Sequence, residues 1–220
     1  MAKSFGEPLK KLRAIPISDN GEKLIDPQSL SKRIHKAEKH PVMTDDKSRS
    51  ILVRETVAKK LADAAERLPE GIDMVLFEGF RPIEIQRQNN EWVRRIMSEK
   101  YPTWSKVALQ RKINEFSAPA DDKCPPPHLT GGAVDLYLID NTGKILDFFS
   151  PYGAWNTEGA ETSVKGLSET AKKNRQLLIE TLESVGLTNY LGEWWRWSYG
   201  DSGWALRTNA SPAIYDRISE

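Results

Sequence analysis

The stretch that most narrows what this chain can fold into covers residues 125–139. Pro125-Pro126-Pro127 can neither continue a helix nor donate to a strand ladder, so it favours an extended, stiff approach. His128-Leu129-Thr130-Gly131-Gly132-Ala133-Val134-Asp135 follows, and its glycine pair permits a sharp change of direction. Leu136-Tyr137-Leu138-Ile139 then has the apolar character of a strand. Such a turn could aim the imidazole of His128 and the carboxylate of Asp135 at one point, and the two groups together suit a divalent metal such as zinc. A glycine-rich surface turn carrying a histidine is an equal reading of this stretch taken alone.

Upstream, Val57, Leu61, Ala64, Ala65 and Leu68 share one face of a helix over residues 54–68, stopped by Pro69-Glu70-Gly71. Ile72-Asp73-Met74-Val75-Leu76-Phe77, bounded by Gly71 and Gly79, reads as a buried strand. It runs into Glu78-Gly79-Phe80-Arg81-Pro82, where Pro82 is placed to open the next helix and Arg81 sits at a strand-to-helix junction. Arg81 there either reaches into a cleft or pairs locally with Glu78 or Glu84. Two further helices are expected over residues 83–99 and 104–116, parted at Tyr101-Pro102, with a proline- and aspartate-rich loop leading to His128.

After Asp135, the turn signal Asp140-Asn141-Thr142-Gly143 predicts a hairpin whose returning strand is residues 144–149. Residues 150–166 read as a long loop, and Ser168 as the N-cap of a helix ending before Gly186. A last strand-like stretch, residues 191–201, carries Glu193-Trp194-Trp195-Arg196-Trp197. Residues 1–50 are polar and proline-punctuated and are expected to wrap the core, with His35 and His40 as solvated side chains in a lysine-rich segment. The fold class is therefore α+β, a small central antiparallel sheet flanked by helices, in a single domain of 220 residues.

Composition removes several functions. The 32 basic and 31 acidic residues nearly cancel, so no global field draws in nucleic acid or an anionic membrane surface. A lone Cys124 forms no internal disulfide, residues 1–7 lack the apolar core of a secretory leader, and no apolar run nears the ~20 residues of a membrane span. A cytoplasmic location is the default expectation.

Three separated elements, Glu78-Gly79-Phe80-Arg81-Pro82, His128-x-x-Gly131-x-Ala133-x-Asp135 and Glu193-Trp194-Trp195, in this order, resemble the zinc-dependent D-alanyl-D-alanine dipeptidases. That family includes the dipeptidases of vancomycin resistance and belongs among the zinc D,D-peptidases. The resemblance covers roughly residues 72–201. It implies a zinc D,D-peptidase-like fold with a catalytic core over residues 51–201 and a tail over 202–220. It also implies a small dipeptide or peptide-like substrate, His128 and Asp135 as zinc ligands, Glu193 as general base and Arg81 as stabiliser of the oxyanion. The division of labour is physically sensible: metal-bound water is more acidic, a carboxylate takes its proton, and a guanidinium supports the tetrahedral oxyanion.

Position 196 departs from the family. Its motif reads Glu-Trp-Trp-His, the histidine being the third zinc ligand, whereas this chain has Arg196. Arginine has no lone pair to offer. A guanidinium about 4 Å from a dication, at an effective dielectric of ~20, meets a repulsion of roughly 8 kcal/mol. Arg196 therefore either points away from the site, or the site holds no zinc in the usual way. Cys124, His35, His40, Asp147 and Asp201 are the other donors that could be imagined near it, although an extended triproline run would set Cys124 and His128 on the order of 12 Å apart. Two functions follow: metal-dependent hydrolysis of a D-Ala-D-Ala-type dipeptide, or a catalytically altered relative. In the second, Arg81 and Arg196 bind a peptide or amino-acid carboxylate, or another reaction runs in the same pocket. A regular strand would turn Glu193 and Arg196 to opposite faces, so using both in one site requires a bend between them.

Overall fold

The computed structural model describes residues 7–41, 49–121, 123–153, 155 and 158–218. Residues 1–6, part of the segment read above for leader character, lie outside them. The central sheet has the order β2 (Ile34–Lys36), β4 (Ile72–Glu78), β5 (Ala133–Asp140), β7 (Arg196–Ser198), β6 (Thr188–Asn189). A two-stranded ribbon joins β1 (Leu24–Ile25) to β3 (Val53–Arg54). The helices are α1 (Leu9–Leu12), α2 (Glu55–Arg67), α3 (Ile83–Lys100), α4 (Lys106–Phe116), α5 (Glu169–Glu183) and α6 (Ser202–Thr208).

The α+β class expected from the alternation of elements is what the chain forms, with one difference in the sheet. β4, β5, β7 and β6 pair antiparallel, but β2 adds to the edge of β4 in parallel. Ile34-His35-Lys36 is too short and too charged to announce itself as a strand. Once paired, it carries the following residues along β4, Ala37 N–H donating to the Leu76 carbonyl at 2.9 Å, until His40 reaches the Glu78 end. His40 is therefore buried, edge-on to Phe77 at 5.0 Å, rather than solvated as expected. His35 stays partly exposed on Asp73 at 2.8 Å.

The periodic face of α2 is buried through Val57, Ala58, Leu61, Ala64 and Ala65. It shares one apolar cluster with Leu178 and Leu182 of α5 and with Met74, Leu76, Leu136 and Leu138 of the sheet. Each such aliphatic side chain removed from water contributes about 1.5–3 kcal/mol. Ser168 caps α5 as expected, its hydroxyl accepting from Ala171 N–H at 3.0 Å. Pro82 stands just ahead of α3 rather than inside it. α3 and α4 pack together around a second, smaller cluster of Val93, Met97 and Ile113.

The expected hairpin closes only at its turn. Asp140 N–H reaches the Lys144 carbonyl at 2.9 Å and Leu146 N–H the Leu138 carbonyl at 3.0 Å, with Ile145 bridging to Ile139. Beyond that the Asp147 carboxylate accepts from the Phe149 and Ser150 N–H groups, a local turn that diverts the chain toward α5 before a strand can lengthen. Residues 150–166 carry no helix or strand among those described.

Candidate active site

The site is a row across three adjacent strands. β4 and β5 run in register to Leu76 opposite Leu136, after which an irregularity at Phe77 sets Glu78 opposite Asp135. Inserting one residue into a ladder re-aims the next side chain, here bringing Glu78 onto the face of Asp135. On the other flank β7 places Arg196 opposite Asp135. The three residues are direct cross-strand neighbours, the arrangement in which side chains meet.

His128 enters from a 3₁₀ turn, Pro127–Thr130, that ends on Gly131 with φ +68°. A side chain there would be strained, and its Cβ would come within 2.6 Å of Leu24. The triproline run is thus extended at Pro126 but already turning at Pro127. His128 Nδ1 lies 2.8 Å from the Gly79 carbonyl, which can only accept, so Nδ1 carries a proton. Gly79 itself must be glycine because an added Cβ would meet the Leu52 carbonyl at 2.6 Å. His128 Nε2 is buried and makes no hydrogen bond among the described residues, while Asp135 Oδ2 stands 3.3 Å away.

The bend that would be required to bring Glu193 and Arg196 into one site is present. Glu193 N–H donates to the Tyr190 carbonyl at 2.9 Å and Arg196 N–H to the Glu193 carbonyl at 3.1 Å. The Asn189 side-chain amide braces this turn by donating to the Glu193 and Arg196 carbonyls at 3.2 and 3.0 Å. Both side chains now face the same point. Arg196 Nε and Nη2 donate to Asp135 Oδ1 and Oδ2 at 3.0 and 2.9 Å, and Nη1 meets Glu193 Oε2.

Arg81 is held the same way on the far side. Its Nε donates to Glu78 Oε1 at 2.8 Å, Nη2 pairs with Glu78 Oε2, and Nη1 donates to Gln86 Oε1 at 2.6 Å. Arg81 thus makes the local pairing with Glu78, which itself stands opposite Asp135. Its N–H also donates to the His128 carbonyl at 3.1 Å, which ties the Glu78-Gly79-Phe80-Arg81 segment to the histidine turn. His40 Nε2 and Arg49 Nε approach Glu78 at 3.4 and 4.0 Å.

Burial works against every charge here, and the partners decide the outcome. For Asp135, burial pushes the carboxyl pKa up, but the Arg196 guanidinium and then His128 outweigh it and hold it well below the usual carboxylate range. Glu78 is likewise lowered, burial being overcome by Arg81. For Glu193 burial wins: with the negative charge of Asp135 adding to it and Arg196 and Arg81 opposing, the pKa rises to about 7. Arg196 is driven further up by Asp135 and Glu193 despite burial, so it is always charged.

A cavity of about 380 Å³, within the range of small-ligand sites, meets the row at Arg196, while Glu78, Arg81, His128, Asp135 and Glu193 are not among its walls. Arg196, Tyr190, Cys124, Pro125, Leu12 and Arg207 are among its walls.

Of the donors considered for a third metal ligand, none is the one that joins His128 and Asp135. Cys124 is buried in the cavity wall. Asp147 serves its turn, Asp201 caps α6 by accepting from Trp204 N–H, and His35 pairs with Asp73. The residue that does come close is Glu78: donor atoms of Glu78, His128 and Asp135 lie within 4.8 Å of one another, near enough to hold a cation by proximity. Glu78 was legible only as a partner for Arg81. Its nearness to His128 and Asp135, the burial of His40 and the bracing by Asn189 had no local signal.

A family model described as D-ala-D-ala dipeptidase matches residues 37–215. The chain belongs to that family. A D-alanyl-D-alanine dipeptidase of Synechocystis sp. is 29% identical over 242 aligned positions, covering 98% of this chain and 97% of the relative. One of Enterococcus faecalis is 26% identical over 137 positions, covering 60% and 64%. The matched span holds all three motifs from which the resemblance was drawn. No helix among the described residues is long and apolar enough to cross a membrane.

For the zinc that the family implies, the fit is partial. His128 suits it, with Nδ1 anchored on a carbonyl and Nε2 left aimed at Asp135, the pattern of a ligating histidine. The remainder does not. Both oxygens of Asp135 are engaged by Arg196 and both oxygens of Glu78 by Arg81. The position expected to supply the third ligand, a second imidazole, supplies a cation instead. The residues as arranged do not fit a three-ligand zinc.

Proposed function

We propose that this chain hydrolyses small peptides of the D-alanyl-D-alanine type, bound in the cavity beside Arg196. Glu193 is the proton acceptor. The single observation that carries this reading is the Asn189-braced bend that turns the buried Glu193 carboxyl to the side of Arg196, and a pKa raised to about 7 leaves that carboxyl able both to accept and to return a proton. The catalytic sequence assigns to Glu193 the proton of the attacking water and, afterwards, its delivery to the departing amine. Arg81 supports the charge that develops on the scissile carbonyl oxygen, and Arg196, whose Nε, Nη1 and Nη2 are engaged by Asp135 and Glu193, adds fixed positive charge at the cavity wall. Zinc, if held by His128 and Asp135, would supply a Lewis acid and a more acidic water. Arg196 would first have to leave Asp135, so the reading rests on the chain's own residues.

The test is release of D-alanine from D-Ala-D-Ala by the purified chain, with L-Ala-L-Ala as control. Glu193→Gln should lower the rate by about 10²–10⁴-fold while leaving dipeptide affinity near its native value. A native chain that binds the dipeptide and releases no D-alanine would overturn hydrolysis and favour the carboxylate-binding reading through Arg81 and Arg196.

A further inference from the structure

We propose that the Arg196 guanidinium is the resident cation of this site, standing in for the metal ion, and that the native chain does not take up zinc there. This rests on the family reading for where a metal would be sought, but not on hydrolysis.

Three observations carry it. The first is geometric. Cross-strand pairing and the turn after Tyr190 aim Arg196 into the row, and Nε and Nη2 occupy Asp135 Oδ1 and Oδ2 at 3.0 and 2.9 Å. A metal would require the lone pairs of those same oxygens, and a planar guanidinium matched two-to-two with a carboxylate is among the strongest competitors for them.

The second is the balance of charge. Glu78, Asp135 and Glu193 contribute three carboxyl groups, each at most 8% exposed, and Arg81, Arg196 and Arg49 stand against them as three guanidinium groups. The six sum to zero with Glu193 ionised and to one positive charge with it protonated. In either state a dication would find no uncompensated carboxylate among these buried groups, and its added charge would be penalised in a low-dielectric interior.

The third is the bracing. Asn189 fixes the carbonyls of Glu193 and Arg196, and Tyr190 N–H closes on the Arg196 carbonyl at 2.9 Å, so the backbone is built to present Arg196 inward. A tethered cation has different consequences from a bound one. It cannot be lost to a chelator, and it gives no ligand-exchange position for water. It also keeps Asp135 paired in the absence of any ion. Arg196 here is a positioning residue for Asp135 and Glu193.

The deciding measurement reads metal and melting temperature, not hydrolysis, so it fails separately from the function proposed above. The full chain, purified from zinc-supplemented culture, is assayed for zinc by elemental analysis and melted with chelator, without additions and with zinc chloride. Arg196→His is treated in the same way. The native chain should contain far less than one zinc per molecule, and neither chelator nor zinc should move its melting temperature. Arg196→His should take up about one zinc per chain, giving the three-ligand set, and its melting temperature should rise with zinc as binding to the folded state requires. A native chain holding close to one zinc, with a melting temperature lowered by chelator and raised by zinc, overturns the proposal. Should Arg196→His not fold, the native chain's own metal content and zinc-titrated melt still decide it.

Discussion

Arg196 grips Asp135 with two parallel hydrogen bonds, Nε to Oδ1 at 3.0 Å and Nη2 to Oδ2 at 2.9 Å, across 61 residues of sequence. Asp135 is 1% exposed, so this pairing is what makes its negative charge tolerable. Of the two directions open to Arg196, away from the site or into it, the guanidinium takes the second.

Removing Arg196 should therefore cost more than an ordinary surface substitution. Arg196→Met leaves Asp135 buried and unpaired and is expected to lose about 3–5 kcal/mol in urea unfolding at neutral pH. Arg196→Lys, which keeps the charge without the fork, should recover part of the loss. The double variant Arg196→Met/Asp135→Leu should be more stable than Arg196→Met alone. Equal stability of the single and double variants would mean that the pairing is not what holds Asp135.

Glu193 should titrate near neutrality. A carboxylic-acid carbonyl band in the infrared spectrum is expected to disappear as pH rises through about 7 and to be missing from Glu193→Gln. The linkage to stability has a definite sign. An acid whose folded pKa is raised binds its proton more tightly when folded, so its contribution is fully present below about 4.5 and is lost as pH rises toward about 7. Glu193→Gln should remove that part of the decline. An unchanged pH slope between the two chains would count against a raised Glu193.

Glu78 and Asp135 should act in the opposite direction. Their folded pKa values are lowered, chiefly because Arg81 and Arg196 overcome burial, so they stabilise the chain above the ordinary carboxylate range. That stability is lost as pH falls below about 4. Unfolding free energies measured between pH 6 and pH 3 should fall steeply for the native chain and more gently for Glu78→Gln, which begins from a lower value at pH 6. A parallel fall in both would remove Glu78 from the account.

The cavity should set how substrate binds. Leu12 of α1 is half-buried in its wall. Leu12→Trp should fill part of the 380 Å³ and raise KM for D-Ala-D-Ala several-fold, while the melting temperature shifts little because no core contact is lost. Raised KM with kcat preserved is the signature of lost binding room. No change in either constant would place the substrate elsewhere.

Most of the elements were legible locally. The face of α2, the buried run of β4, the cap at Ser168 and the turn after Asp140 each follow from periodicity or from one residue's preference for a turn or cap. The short edge strand β2 was not, because three residues of which two are polar carry no period. The site divided in the same way. Its motifs named Arg81, His128, Asp135 and Glu193, but nothing near His40 marks it for burial beside Glu78, since that depends on a parallel pairing formed elsewhere.

What the sequence determined by itself is the set of chemical groups available: the imidazole of His128, the carboxyl groups of Asp135 and Glu193, the guanidinium of Arg81, and an arginine where the family has a second histidine. Those identities are written residue by residue and need no partner to be read. Tertiary structure decided where the groups point. The irregularity at Phe77 turned Glu78 toward Asp135, and the turn braced by Asn189 brought Glu193 and Arg196 to one side. The physical reason is that propensities act over a few residues. Cross-strand register and the pairing of buried charges are settled by groups far apart in the chain that can lower their energy only together.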